Sequence, residues 1–368
     1  MPELPAALAD LPLNEWRDVS LNTMQSQDPC EDPPCAWWGG EGPKGILNDW
    51  TGGAYASGEG ELGGLVYFGG GHNGYYGNEV YFFDFASLMW ERRGEPTDGQ
   101  VPGDKTTLGG DEFCRFWDGK PVSMHTYDMP FYDPIQNRFW LAIVSDFAAP
   151  LPGFPEGCSS KLSAFFDLST NTWGDSTTDS TVGKVFTASA WDDASSLAWF
   201  TDYRSKQTHS FDPVTEEWKS YPGWTVNTLD ALAAVDPVRN LLVTAAFRGD
   251  SKDLAIIDLS TPDVPAYLAT TTGDKEMEVG GNHGFEWAPQ LGGFITWRAG
   301  LDLFLLTPPD GDPKIEPWVW TRIVATGEVP DMPMSGPYSK FQYVPELGIA
   351  FVASHYAGPV SAIRLAYP

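Results

Sequence analysis

The sequence has 368 residues and a formal net charge of −28, and such a surface repels nucleic-acid phosphates and anionic lipid headgroups, which argues against both as partners. Hydrophobic residues make up 42% of the chain and include 16 Trp, which is enough for a large buried core. The 39 Gly and 31 Pro indicate many tight turns between short strands. These features predict an almost entirely β protein.

The first ten residues, from Met1 to Asp10, have neither a basic segment nor a long apolar core, and no apolar run in the chain is long enough to span a membrane. We therefore expect no signal peptide and no membrane insertion. The expected location is the cytoplasm, or the surface of a virion or other particle that is released by lysis.

The cysteines do not predict a disulfide framework or a zinc site. They are Cys30, Cys35, Cys114 and Cys158, and their spacing matches neither arrangement. Cys30 and Cys35 flank two prolines and are close enough along the chain to bridge, although a cytoplasmic location favours reduced thiols. Their state is left open.

A Phe-Asp pair followed by a Trp recurs three times, with the Trp six residues after the Asp. The instances are Phe83-Asp84 with Trp90, Phe166-Asp167 with Trp173, and Phe211-Asp212 with Trp218. The pattern is typical of a strand that ends in Asp, a turn whose amides bond to the carboxylate, and a second strand that starts at the Trp. Weaker versions occur at Ile257-Asp258 and at Leu306 with Trp318 and Trp320.

A hairpin pattern precedes each of these units. An aromatic residue or Val is followed by a turn with Asp, Pro or Gly and then by an apolar run. The six instances start at Tyr55, Tyr132, Trp191, Val235, Trp287 and Tyr343. Each unit therefore reads as four antiparallel strands, at intervals that are typical of propeller blades.

One such sheet cannot bury both of its faces, but a ring of them can. We predict a single all-β domain over residues 1–368, folded as a six-bladed β-propeller. The predicted blades cover residues 51–93, 122–175, 185–222, 226–268, 282–323 and 337–368. The last unit lacks an outer strand, and residues 14–20, with Trp16 in the blade Trp position, supply it and close the ring. Seven blades are the alternative, although neither 21–50 nor 93–121 holds four strands.

The sequence resembles kelch and galactose-oxidase-like propellers over essentially its whole length. The Gly-Gly-Gly-His segment at residues 69–81 resembles their blade motif, and residues 123–128 and 341–347 resemble segments of a mostly uncharacterised microbial branch. The resemblance implies the fold. It is hardly specific for function, because propellers include lyases, oxidases and pure binding modules.

Placing the loops on this blade pattern predicts a ligand-binding face around the axis, formed by the loops between the second and third strands and by the links between blades. Four of the five histidines fall there, together with arginines and aromatics. The predicted face consists of His72, Asn73, Tyr75, Tyr76, His125, Tyr127, Arg204, Arg248, His283, Arg298, His355 and Tyr356. Each His taken alone also fits a purely structural role in a turn.

Two functions fit such a face. A non-catalytic recognition or structural module would bind a glycan or a protein partner, and a subunit of a phage or other particle is one form of it. The alternative is a polysaccharide lyase that acts on uronate-containing glycans by β-elimination, a reaction that some propeller-fold enzymes carry out. That reaction needs a base, an acid and a cation, for which His72, His125, Tyr76 and Arg298 are the candidates. We predict no metal and no cofactor, because the cysteines lie away from the position that a copper–radical site requires and no short His pair is present.

Overall fold

Six antiparallel sheets stand around one axis in the computed structural model, which describes residues 3–29, 40–97, 115–116, 118–142, 162–182, 186–202, 204–222, 230–247, 253–278 and 280–367. The innermost strands of consecutive sheets contact one another around the complete ring. The predicted all-β, six-bladed propeller is therefore confirmed. All four cysteines lie outside the described residues.

The strands follow one another from the axis outwards within each blade. The closing strand is β1 (Glu15–Asp18). Blade 1 contains β2 (Gly53–Ala56), β3 (Gly64–Tyr67), β4 (Val80–Asp84) and β5 (Met89–Arg93). Blade 2 contains β6 (Pro130–Asp133), β7 (Arg138–Leu141), β8 (Leu162–Asp167) and β9 (Thr172–Asp179). Blade 3 contains β10 (Ala188–Asp192), β11 (Leu197–Asp202), β12 (Gln207–Asp212) and β13 (Glu217–Tyr221).

Blades 4 to 6 follow the same plan, and blades 5 and 6 have one additional strand at the outer edge. Blade 4 contains β14 (Leu232–Asp236), β15 (Leu241–Ala246), β16 (Asp253–Asp258) and β17 (Tyr267–Leu268). Blade 5 contains β18 (Thr271–Gly273), β19 (Gly284–Ala288), β20 (Gly293–Trp297), β21 (Leu303–Thr307) and β22 (Trp318–Ile323). Blade 6 contains β23 (Thr326–Gly327), β24 (Phe341–Val344), β25 (Ile349–Ala353) and β26 (Val360–Arg364), together with β1.

Helices are short and lie in the connections. The α-helical turns are α1 (Ala6–Ala9), α2 (Gly45–Asn48) and α3 (Gly71–Gly74). The 3₁₀ turns are Met24–Gln27, Gly42–Lys44, Lys275–Met277, Pro289–Leu291 and Tyr338–Lys340. Within the described ranges, no helix has the length and apolarity needed to cross a bilayer.

The repeated Phe-Asp…Trp spacing corresponds to one repeated strand register. The Phe before each Asp stands directly opposite the Trp, as in the pair Phe83 and Trp90 and the pair Phe211 and Trp218. The Asp carboxylate accepts hydrogen bonds from the amides two and three residues later, so that Asp212 holds the turn before the outer strand. A fixed number of turn residues therefore places a Phe opposite a Trp in each of blades 1 to 3.

Most of the hydrophobic core lies between adjacent blades. Phe85 of blade 1 stacks on Phe351 of blade 6 with ring centroids 4.2 Å apart, and Phe68 packs edge-on against Trp173 of blade 2 at 4.9 Å. Burial of this kind is possible only when the sheets stand side by side, since each sheet has two apolar faces.

The ring closes through β1, as predicted. β1 pairs antiparallel with β26, and Trp16 stands opposite Ile363. The Trp16 side chain is fully buried, and its indole N–H donates to the carbonyl of Leu301 in blade 5 at 2.8 Å. The sheet of blade 6 is therefore built from residues near both ends of the chain.

Blades 5 and 6 each carry a fifth strand that the sequence did not predict. β18 runs parallel to β22, and β23 runs parallel to β1. Each extra strand comes from the link that enters its blade, so it covers the sheet edge that would otherwise be open.

Candidate functional site

The inner strands of all six blades enclose a central channel of about 270 Å³. Its lining includes Ser57, Pro134, Asp193, Pro237 and Pro345, which lie in the turns that follow five of the inner strands. The channel therefore opens at the hairpin turns, on the face opposite to the one that the sequence analysis selected.

Aromatic side chains line the channel near this opening. They occupy equivalent positions in five of the six inner strands, and blade 4 has Val235 at this position. We define the aromatic ring as Tyr55, Tyr132, Trp191, Trp287 and Tyr343. These are the residues with which the predicted hairpins start.

Hydrogen bonds at the rim fix three of these side chains. The indole N–H of Trp191 donates to Asp193 Oδ1 at 2.7 Å, the Tyr343 hydroxyl donates to Gln290 at 2.9 Å, and the Tyr132 hydroxyl donates to Asn137 at 2.8 Å. These three hydrogen bonds fix the orientation of the aromatic side chains.

Two carboxyl groups line the inner part of the channel. Asp128 is buried, and its carboxylate accepts from the amide of Ala233 at 3.2 Å and from the hydroxyl of Ser339. Glu286 of β19 is partly buried and immediately precedes Trp287 of the aromatic ring. Burial raises the pKa of Asp128 to about 8, and burial followed by the proximity of Asp128 raises the pKa of Glu286 well above its usual range. In both groups this environment favours the neutral carboxylic acid over the carboxylate.

A cluster of aromatic rings covers the inner end of the channel. We define this cap as Trp50, His125, Tyr127 and Tyr338. The Tyr127 ring lies 5.8 Å from His125 and 6.1 Å from Tyr338, and the Trp50 ring lies 5.0 Å from His125. Tyr127 also contacts Phe186, so segments that enter blades 2, 3 and 6 meet at this point.

Beside the cap, Asp49 and Lys340 are buried close together. The Lys340 ammonium donates to the carbonyls of Asp49 and Gly336 at 3.3 and 3.1 Å. Burial lowers the pKa of Lys340 to about 7, and burial, followed by repulsion from Glu41, raises the pKa of Asp49 to about 7. Gly74 of α3 lies against the Asp49 carboxylate so closely that a side chain there would overlap with it.

Several residues of the predicted face are buried in packing contacts. His283 is fully buried with its ring 5.8 Å from Phe247, and His125 lies five residues before β6 rather than at its start. Tyr75 is fully buried and donates to the carboxylate of Glu79, and burial raises the pKa of both groups.

Other residues of the predicted face are more accessible. Arg204 and His355 are exposed, and the His355 ring accepts a hydrogen bond from the Ala357 amide at 3.2 Å. Tyr356 is mostly buried and donates to Asp28 at 2.7 Å. His72 and Asn73 belong to α3, although their side chains are not among the described parts of the structure, and Arg248 lies outside the described residues.

The four candidates for a lyase reaction do not share one blade. His72 and half-buried Tyr76 belong to blade 1, and His125 leads into blade 2. Arg298 follows β20 of blade 5, where its guanidinium lies against Gly280. Blades 2 and 5 stand opposite each other in the ring. Among the residues that the structure describes, no group of three or more His, Cys, Asp and Glu side chains is arranged to hold a metal ion.

The channel residues were not predicted as a site from the sequence. The aromatic ring was visible as the first residue of each hairpin pattern, and a residue repeated on every inner strand of a propeller must form a ring around the axis. Asp128 and Glu286 had no such signal, because each occurs in one blade only.

No known family model and no curated protein matches this sequence. Solved structures with a similar chain path include a structural genomics protein of unknown function from Bacteroides thetaiotaomicron VPI-5482, with 12% identity and a TM-score of 0.49 over 94% of this chain and 74% of that chain. TolB from Acinetobacter baumannii is 13% identical, with a TM-score of 0.38 over 73% of this chain and 56% of that chain. The propeller assignment rests on the strand pairing of this chain.

Proposed function

We propose that the protein is a non-catalytic recognition propeller of the kelch type, which binds the end or a short stretch of a glycan through the open end of its central channel. The observation that carries the proposal is the aromatic ring, since five inner strands each contribute an aromatic residue to the lining of one channel. Tyr55, Trp191 and Trp287 are partly exposed, whereas Tyr132 and Tyr343 are buried. The faces of Tyr and Trp pack against the C–H groups of sugar rings, and nearby polar groups bond to hydroxyls.

The polar groups of the channel suit sugar hydroxyls. Gln342 and Ser189 line it beside the aromatic ring, as do Asp128 and Glu286. A carboxyl group accepts hydrogen bonds in either protonation state and also donates one when it is protonated. An apolar wall with a few polar groups is the usual composition of a small-molecule site.

The shape of the site favours a glycan over a protein partner. A stable protein interface buries roughly 800 Å² on each side, usually as a broad surface. The channel of about 270 Å³ is concave and narrow, so an extended chain or a chain end enters it more readily than a folded surface does. A protein partner, and a place in a phage or other particle, stay predictions.

Glycan-array screening followed by titration calorimetry tests this proposal. Trp191→Ala and Trp287→Ala each remove one aromatic face, and we expect a loss of at least about tenfold in affinity, as for other central aromatic contacts. Trp50→Ala is the matched control, because this half-exposed Trp belongs to the cap at the other end of the axis. Unfolding curves verify that each variant is folded.

The two faces give opposite results in this comparison. If Trp50→Ala or Arg204→Ala weakens binding and Trp191→Ala does not, the ligand binds on the face that the sequence analysis selected. If no glycan binds saturably, a glycan-recognition function is wrong.

A further inference from the structure

The carboxyl groups in the channel have no cationic partner among the described residues that line it. None of the lining residues is Lys, Arg or His, whereas the acidic ones are Asp128, Asp192, Asp193, Glu286 and Glu346. The Glu286 carboxyl accepts no hydrogen bond from the part of the chain that the structure describes. A partly buried acid without a partner is costly when ionised, and a ligand that supplies a positive charge removes this cost.

The aromatic ring adds a second, independent preference for a cation. Faces of Trp and Tyr attract ammonium groups through their electron-rich centres, and several such faces around one space form the cage that proteins use for ammonium ligands. Glu286 and Trp287 are adjacent in β19, so their side chains leave opposite faces of the strand. Both residues nevertheless line the channel, so a glycan that extends along the channel contacts the aromatic ring and the Glu286 carboxyl.

We propose that the channel binds amine-bearing glycans, with the ammonium group of a de-N-acetylated hexosamine placed between Glu286 and Asp128 and its sugar face against the aromatic ring. This inference rests on the proposed glycan function and names the chemical class of the ligand. The net charge of −28 further concentrates cationic glycans near the surface.

Binding of an ammonium group changes the protonation of the two carboxyl groups. The groups that face the Glu286 carboxyl are Asp128 and the Tyr67 hydroxyl, and Asp128 is faced by Glu286, the Ser339 hydroxyl and the Ala233 amide. An ammonium ion placed there favours the carboxylate over the carboxylic acid, so a proton leaves one of the two acids when the ligand binds. A neutral sugar uses the acid as a hydrogen-bond donor, and no proton leaves.

Titration calorimetry with two probes tests the inference. The probes are a β-1,4-linked glucosamine tetramer and its fully N-acetylated counterpart, which differ only in the charge and acylation of nitrogen. We expect the amine tetramer to bind at least about tenfold more tightly, one molecule per chain, because a charge-assisted hydrogen bond is worth more than a neutral one. We also expect net proton release, measured near pH 5.5, where the amines of the probe are already protonated, in two buffers with different ionisation heats. A salt concentration of about 0.5 M screens attraction by surface charges.

Two matched variants test which carboxyl group produces the preference for the amine tetramer. Glu286→Gln keeps the size and polarity of the side chain, and we expect it to reduce the preference for the amine tetramer to within about twofold while leaving the N-acetylated tetramer nearly unaffected. Glu217→Gln makes the same substitution at an exposed position on the outer strand β13, away from the channel lining, where we expect the preference to remain.

The possible failures are distinguishable. Equal affinity for both tetramers, or a preference that survives Glu286→Gln, overturns the amine inference and leaves glycan recognition standing. Binding of neither tetramer nor any glycan on the array overturns the proposed function. In that case tetramethylammonium, which carries no sugar, tests the cation site directly, and its failure to bind overturns that site as well.

Discussion

Replacing Trp16 by Ala tests whether the closing strand holds the ring together. The Trp16 side chain is fully buried, its ring lies 5.8 Å from that of Trp297, and its N–H bonds to the Leu301 carbonyl. Loss of a buried Trp costs about 3–5 kcal/mol, and an unsatisfied carbonyl adds about 1 kcal/mol. We therefore expect the free energy of unfolding to fall by about 4–6 kcal/mol, a large part of the roughly 5–15 kcal/mol of a typical domain.

Urea unfolding followed by circular dichroism measures this change. Trp16→Phe keeps an aromatic ring and loses the hydrogen bond, so we expect a loss of about 1–2 kcal/mol. Leu21→Ala lies in the same segment at a side chain that is 73% exposed and should change stability by less than about 0.5 kcal/mol. A loss below about 1.5 kcal/mol for Trp16→Ala would refute the reasoning, since β1 would then add little to the cooperative unit.

The turns and the channel give two further expectations. Asp212→Ala removes a carboxylate that accepts from the amides of Val214 and Thr215, and we expect a loss of about 1 kcal/mol at pH 7, with exposed Asp263→Ala as the control. Burial opposes ionisation of Asp212, but the hydrogen bonds from Thr215 outweigh this effect and lower its pKa. The stability difference between the original protein and Asp212→Ala should therefore shrink as the pH falls through that pKa. A stability difference that acid leaves unchanged would contradict this account. For Asp128, which faces Glu286, burial raises the pKa to about 8, so the folded protein keeps a proton that the unfolded chain loses above roughly pH 4. Asp128→Asn should gain stability relative to the original protein as the pH rises from 5 to 8, by up to about 1.4 kcal/mol per pH unit, and unfolding curves with a constant difference would exclude this.

The blade pattern could be predicted because the same succession of strands and turns is repeated in six blades. The Asp and Trp of each repeat determine a turn and an aromatic pair, so their spacing alone gives the register, as at Asp212 and Trp218. The closing role of residues 14–20 followed from counting, because the last unit had one strand too few.

The extra outer strands could not be predicted in this way. β18 and β23 have three and two residues, respectively, and their pairing depends on where the neighbouring edge happens to lie. Sequences as short as Thr326–Gly327 carry no periodicity. They form because an uncovered edge is available beside a linking segment.

The candidate site was hard to predict because its aromatic residues are repeated. The hairpin aromatics were interpreted as a fold signal because they repeat, whereas unrepeated residues such as His125 and His283 attracted a functional interpretation. The structure buries those two rings against aromatic neighbours and assigns the repeated residues to one channel. Which end of the axis stays open depends on the loops that pack over the other end, and their packing is a tertiary property.

The pairing of β1 with β26 also determines when blade 6 can be completed during protein synthesis. The Arg364 guanidinium donates to the carbonyl of Leu11, 353 residues earlier, so the earliest part of the propeller is translated long before its partner exists. At about 5–20 residues per second, the ribosome needs roughly 20–70 s to cover that distance. During this time the partner strand of β1, which contains Trp16, has not yet been made.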